Sequence, residues 1–213
     1  MVQPLSVLEL KPRILYEVAK AAWDGALSER REEICRLVCE EFGDRVTRHR
    51  VANQIRVAMG LSPHELDTVD GENDADALMG LMDGPFIVND PTACQHCPEA
   101  GTCCGPDCPL QALSKAPGGA IAIDHSKCLG DGHCLAQRSF GGLIEKSQFV
   151  PLISLLRDQT APVYASVAPA FTGQFGPDVT PGKLRSALRH LGFAEMVETA
   201  LYAAPDADSE QLV

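Results

Sequence analysis

Apolar residues recur at helical spacing through the first 60 positions of the chain. Ile14, Leu15, Val18, Ala19 and Ala22 make one stripe, with Pro12 near its start and Gly25 after its end, and predict a first helix. Ile34, Leu37, Val38 and Phe42 carry a second, with Ser28 placed to cap it and Gly43 to stop it. Val51, Ile55 and Ala58 carry a third that ends at Gly60. The three are expected to form a helical unit over residues 1–61.

The periodicity then breaks. Residues 62–84 hold Pro63 and the acidic run Asp70-Gly-Glu-Asn-Asp-Ala-Asp76, read as a linker with a short helix at Ala75 to Met82. As a calcium loop the run lacks the required glycine and the distal glutamate. A strand at Phe86 to Val88 leads into cysteine-rich loops, the whole spanning 85–146. Ser147 then caps an amphipathic helix bearing Phe149, Leu152, Ile153 and Leu156. Val163 to Ala168 reads as a strand. Thr180 and Pro181 read as the N-cap and first position of a helix that closes at Gly192, and Met196 to Leu201 as a second strand. These complete a β-α-β unit within 147–204. Residues 205–213 read as an acidic tail.

A chain of 213 residues is long enough to bury a core, and with only 5% aromatics that core must lean on Leu, Val, Ile and Ala. The net charge of −11 opposes nucleic acid or an anionic membrane as partner. It suits docking on basic protein surfaces. Met1 to Leu10 lacks a basic stretch followed by an apolar core, and no run of 18 apolar residues occurs. No membrane span is expected, and the expected location is the cytoplasm. Nine cysteines in such a chain do not read as a disulfide set, and seven of them fall between positions 94 and 134. That clustering points to metal.

The first half of the module reads Cys94-Gln-His-Cys97-Pro-Glu-Ala-Gly-Thr-Cys103-Cys104-Gly-Pro-Asp-Cys108-Pro109. Bacterial ferredoxins carry four cysteines separated by two, two and three residues and followed by proline, the last one ligating the other cluster. Cys104-x3-Cys108-Pro109 reproduces the end of such a run, with Cys94-x2-Cys97 as its start. The second half keeps the spacing at positions 128, 131, 134 and 138, but Asp131 and Arg138 stand at two of the four ligand places. One 4Fe–4S site is therefore expected from Cys108, Cys128 and Cys134, with Asp131 as fourth ligand or bystander. A carboxylate is a harder ligand than a thiolate, so that corner iron should leave readily to give a 3Fe–4S form. A second site would use Cys94, Cys97 and one of Cys103 or Cys104, its usual crossing ligand being lost at Arg138. Structural zinc is the competing reading of the Cys-x2-Cys pair. His96, His125 and His133 read as solvent-facing or supporting groups, and Cys35 and Cys39 as buried core thiols.

With these residues in view, the chain resembles the front part of an iron-only (FeFe) hydrogenase. The resemblance rests on Glu145-Lys-Ser-Gln-Phe-Val, on Pro162-Val-Tyr-Ala-Ser-Val-Ala-Pro-Ala-Phe-Thr-Gly-Gln-Phe-Gly-Pro-Asp-Val-Thr-Pro-Gly-Lys and on Leu188-Arg-His-Leu-Gly-Phe. Val18-Ala-Lys-Ala-Ala-Trp23-Asp-Gly and Val51-Ala-Asn-Gln-Ile-Arg-Val-Ala-Met-Gly60 are similar to its leader. It implies an α+β fold: a helical N-terminal unit, a ferredoxin-like iron–sulfur module and a β-α-β segment resembling the start of the catalytic domain. In that family the catalytic cluster is held by cysteine motifs further along, and no cysteine follows Cys134. The chain is thus expected to lack activity alone and to deliver electrons to a redox partner, either a separate hydrogenase catalytic subunit or a second copy of itself. The alternative is an iron- or oxygen-responsive sensor built on a labile cluster.

Overall fold

The computed structural model describes residues 5–64, 69, 85–90, 93, 108–116, 121–135, 142–158 and 160–200. The fold is mixed α and β, as expected from the pattern. It divides into two compact units, Met1–Pro151 and Leu152–Val213. No helix among the described residues is long and apolar enough to cross a membrane. The expected helix at Ala75 to Met82, the acidic run and the tail lie outside the described residues.

The first unit opens with α1 (Val7–Trp23), α2 (Leu27–Phe42) and α3 (Arg48–Ala58), each packed on the other two. α1 begins five residues before Pro12, which lies inside the helix rather than near its start. The true start is a capping box: the Ser6 hydroxyl accepts from the Leu8 amide at 3.1 Å, and Glu9 reaches back to the Ser6 amide at 3.2 Å. Burial of Val7 and Leu10 offsets the hydrogen bond that Pro12 removes. Ser28 likewise lies within α2. The cap position is Ala26, which has no side-chain bond to give, and buried Leu27 draws the first turn forward.

α3 is buried on every side although half its residues are polar. The polar groups meet backbone. Arg50 donates to the Leu5 carbonyl at 2.7 Å, Arg56 to the Ser62 and Val69 carbonyls at 3.0 and 3.1 Å, and the Asn53 carbonyl oxygen accepts from the His64 amide at 3.1 Å. The segments flanking α3 are thereby tied across it, which satisfies the two guanidinium groups and the Asn53 oxygen, while the Asn53 side-chain nitrogen stays buried without a partner among the described residues.

Four three-residue strands follow: β1 (Ile87–Asn89), β2 (Leu113–Lys115), β3 (Ile121–Ile123) and β4 (Leu143–Glu145). β1 pairs antiparallel with β4 and β2 with β3, and the Asn89 side chain donates to the Ile121 carbonyl at 2.8 Å between the two ribbons. Only β1 was visible in the sequence pattern, shifted by one residue. β4 faces two ways, as alternation demands. Ile144 packs with Val7, Val57 and Val88, so the helices cover one face. Leu143 packs with Leu113 and Ile121 on the other.

In the second unit, α4 (Phe149–Asp158) has started in the first and runs on through buried Ile153 and Leu156. The Ser147 hydroxyl accepts from the Phe149 amide at 3.4 Å, but Ser147 stands one position before the expected cap site, since Gln148 directly precedes the helix. β5 (Tyr164–Val167) and β6 (Glu195–Glu198) pair in parallel around α5 (Pro181–His190). The Thr180 hydroxyl caps α5 by accepting from the Lys183 amide at 3.3 Å, and Pro181 opens it. Gly192 turns the chain at φ +100°, where a Cβ would stand 2.7 Å from the Leu156 carbonyl oxygen. Gly192→Ala combines a strained backbone with a backbone clash, and should cost roughly 2 kcal/mol or more of stability. Thermal unfolding followed by circular dichroism checks it, and an unchanged midpoint refutes it.

Candidate metal centre

Three of the seven clustered cysteines fall on described residues: Cys108, Cys128 and Cys134, none in a disulfide. Each is held by a tight local turn. Cys108 precedes Pro109, and its carbonyl accepts from the Gln111 amide at 2.9 Å, closing the bend that feeds β2. Cys128 ends a turn built on Asp124. The Asp124 carboxylate accepts from the Ser126 amide at 3.1 Å and hydroxyl at 2.5 Å, and its backbone carbonyl accepts from the Cys128 amide at 3.0 Å. Those hydroxyl and Lys127 bonds hold the Asp124 carboxyl below the usual carboxylate range. Cys134 lies in a single 3-10 turn, His133–Leu135, steadied by the Asp131 carboxylate accepting from the His133 amide at 3.1 Å.

These turns bring Cys108, Cys128, Asp131 and Cys134 around one pocket with Ile87, Ala112 and Leu113 in its wall. Leu135, Ile123 and the sulfur-bearing residues Cys108 and Cys134 pack on the core formed by Leu113, Ile121 and Leu143. Gly130 and Gly132, at φ +71° and +73°, let the loop between Cys128 and Cys134 curl tightly enough to keep Asp131 at the pocket. Burial pushes the Cys134 thiol above its ordinary value. The Cys128 sulfur, the Asp131 carboxylate and the Cys108 sulfur push the same way, while a backbone hydrogen bond opposes them. Electron-rich donors thus share one pocket, an arrangement that a bound cation would stabilise by reversing the local electrostatics.

Among the described residues no three His, Cys, Asp or Glu side chains gather closely enough for one metal ion. A cluster asks for something looser, since each thiolate need reach only its own iron. The donor set, its apolar wall and its curled loop fit such a group. His125 and His133 are both exposed, and His133 also lines the pocket. Cys94, Cys97, Cys103 and Cys104, with His96, lie outside the described residues.

Cys35 and Cys39 lie away from this pocket, one turn apart on α2. Cys35 is fully buried, its thiol pushed up to about 12, first by burial and then by neighbouring Cys39, against the opposing pull of Arg48. The folded value exceeds the ordinary 9.0, so this group's stabilisation is complete below about pH 9 and is lost as pH rises toward 12. The difference in urea midpoint between the natural chain and Cys35→Ala should therefore narrow across that window. A constant gap up to pH 11 refutes it.

Against known proteins, the profile of the family described as "iron only hydrogenase large subunit, C-terminal domain" matches residues 161–210. That stretch is similar to the hydrogenase domain. It takes in β5, α5 and β6, including the Ala168-Pro169 corner and the Thr180 cap. A Halobacterium salinarum protein that carries the name of a dimethyl sulfoxide reductase iron–sulfur subunit is 29% identical over 102 residues, 48% of this chain and 36% of that protein. The match thus spans little more than a third of that relative's length. No solved structure matches.

Proposed function

We propose that this chain is an iron–sulfur electron-transfer protein or subunit that delivers electrons within a hydrogenase-like complex. The observation carrying this reading is the meeting of Cys108, Cys128 and Cys134 with Asp131 at one apolar-walled pocket, from turns 20 residues apart in sequence. The module is read as ferredoxin-like: Cys108, Cys128 and Cys134 would hold a 4Fe–4S cluster, with Asp131 as the weaker fourth ligand. Cys94, Cys97 and one of Cys103 or Cys104 would hold a second. A bound cluster supplies reversible uptake of one electron at a potential tuned by ligand type, burial and hydrogen bonding.

The chain's own residues do the rest. Ile87, Leu113, Ile121 and Leu143 keep water from the inner wall. Asp124 and Asp131 fix the turns that aim Cys128 and Cys134. The hydrogenase-like segment supports delivery toward a catalytic partner. β5 and β6 form a two-stranded parallel sheet, and parallel sheets are ordinarily covered on both faces and extended by further strands. A catalytic subunit, or a second copy of the chain, would complete it. The iron–sulfur relative from Halobacterium salinarum supports the cofactor class, and its name as a subunit supports action inside a complex.

Anaerobic purification with iron and acid-labile sulfide counts, alongside EPR of the dithionite-reduced protein, tests the reading. Brown protein with sulfide and a reduced-cluster signal is expected. Colourless protein that takes up neither iron nor sulfide on reconstitution overturns it.

A further inference from the structure

The thiol pocket carries exposed apolar side chains at its mouth, beside exposed Asp131 and His133. Leu110 and Leu129 both line it, yet they are 41% and 78% exposed. Phe86, 44% exposed, lies against the same loop, with its ring 3.4 Å from where a Cβ on Gly130 would stand. Of the eight large apolar side chains exposed among the described residues, three thus ring one opening, and they come from three separate parts of the sequence.

The backbone at each is anchored. Leu110 sits in the bend closed by the Gln111 amide on the Cys108 carbonyl, and Leu129 lies between the Asp124 turn and the left-handed Gly130. The Phe86 carbonyl accepts from the Lys146 amide at 2.8 Å. Grouped apolar exposure of this kind is costly in water and marks an interaction surface. The local charges nearly cancel, because Lys127 pairs with Asp124 at 3.1 Å, leaving Asp131 beside the collar. The whole chain carries −11.

We infer that this collar of Phe86, Leu110 and Leu129 is the docking face at which a basic redox protein, bearing its own apolar patch, receives an electron from the centre behind it. The inference rests on the proposed iron–sulfur reading. Long-range charge brings a basic partner in, and the apolar contact holds it and expels water between the two centres. One electron leaves the reduced cluster and enters the partner's oxidised centre, with no bond made or broken.

The test uses cytochrome c, a basic haem protein, as probe and the reconstituted full chain reduced with dithionite. Leu110→Gln combined with Leu129→Gln leaves the net charge untouched. Binding to the oxidised chain is measured by calorimetry at low ionic strength, and haem reduction by stopped flow, both per iron-loaded chain. The double variant should bind roughly tenfold more weakly and reduce the haem correspondingly more slowly, with the salt dependence of the rate unchanged. Phe86→Gln, outside the pocket wall, should show the same direction and serves if the leucine changes lower iron content. Natural affinity and rate in iron-loaded variants overturn the docking face alone. Absence of iron and sulfide in the natural chain, seen before any partner is added, overturns the underlying reading as well.

Discussion

Ile144→Asp is expected to lower stability by roughly 3–5 kcal/mol, because it places an uncompensated charge in a closed apolar layer. Ile144 is 5% exposed and packs with Val7, Val57 and Val88, one from each of α1, α3 and β1. Its neighbour Leu143 faces the opposite core, on which Cys108 and Cys134 pack. A three-residue strand cannot shift to release one face without exposing the other. Since whole domains are stable by only about 5–15 kcal/mol, most of the first unit's margin would go. Urea denaturation followed by far-UV circular dichroism should show an earlier midpoint, and iron content should fall with it. A midpoint within experimental error of the natural chain would show that the helices and the cysteine ribbon are not bound through this layer.

The second large effect concerns the proposed centre. Cys134→Ser should abolish most of the iron and sulfide bound at this pocket, because it replaces a thiolate with a hydroxyl of poor affinity for iron. Cys134 is partly buried and shares the pocket with Cys108, Cys128 and Asp131. Asp131→Cys should act in the opposite direction by supplying the missing thiolate, retaining the fourth iron through brief air exposure that strips it from the natural chain. Iron-to-sulfide ratios and EPR before and after exposure read both variants. Unchanged iron in Cys134→Ser, or an unchanged spectrum in Asp131→Cys, would remove those residues from the cluster.

The two effects meet in one architectural feature. The helical unit is the back wall of the sheet whose front wall carries the thiols. The Ser147 amide also donates to the Val57 carbonyl at 2.9 Å, and Lys11 pairs with Glu145 at the end of β4. Surface pairs of that kind contribute little alone. The apolar layer carries the coupling.

Legibility in the sequence followed the length of the signal. α1, α2 and α3 were readable because 11 to 17 residues of periodic apolar spacing outweigh local noise. The Thr180-Pro181 start of α5 was readable because capping chemistry is local. The Ser6-x-x-Glu9 box carried the same kind of signal and could have placed the start of α1 correctly. β2, β3 and β4 escaped because three residues hold barely one alternation, and their partners lie up to 58 positions away.

The sequence by itself determined the three helices of the leader, the Thr180-Pro181 start of α5 and the short spacing from Cys128 through Asp131 to Cys134, since all of these rest on contacts within a few residues. Only the tertiary structure decided that α3 would be buried all round with its arginines on backbone carbonyls, that β4 would join helices to thiols, and that Phe86, Leu110 and Leu129 would share one rim. Those outcomes depend on which distant surfaces meet, and a pattern along one chain does not encode which of its many apolar faces pair until the chain has closed on itself.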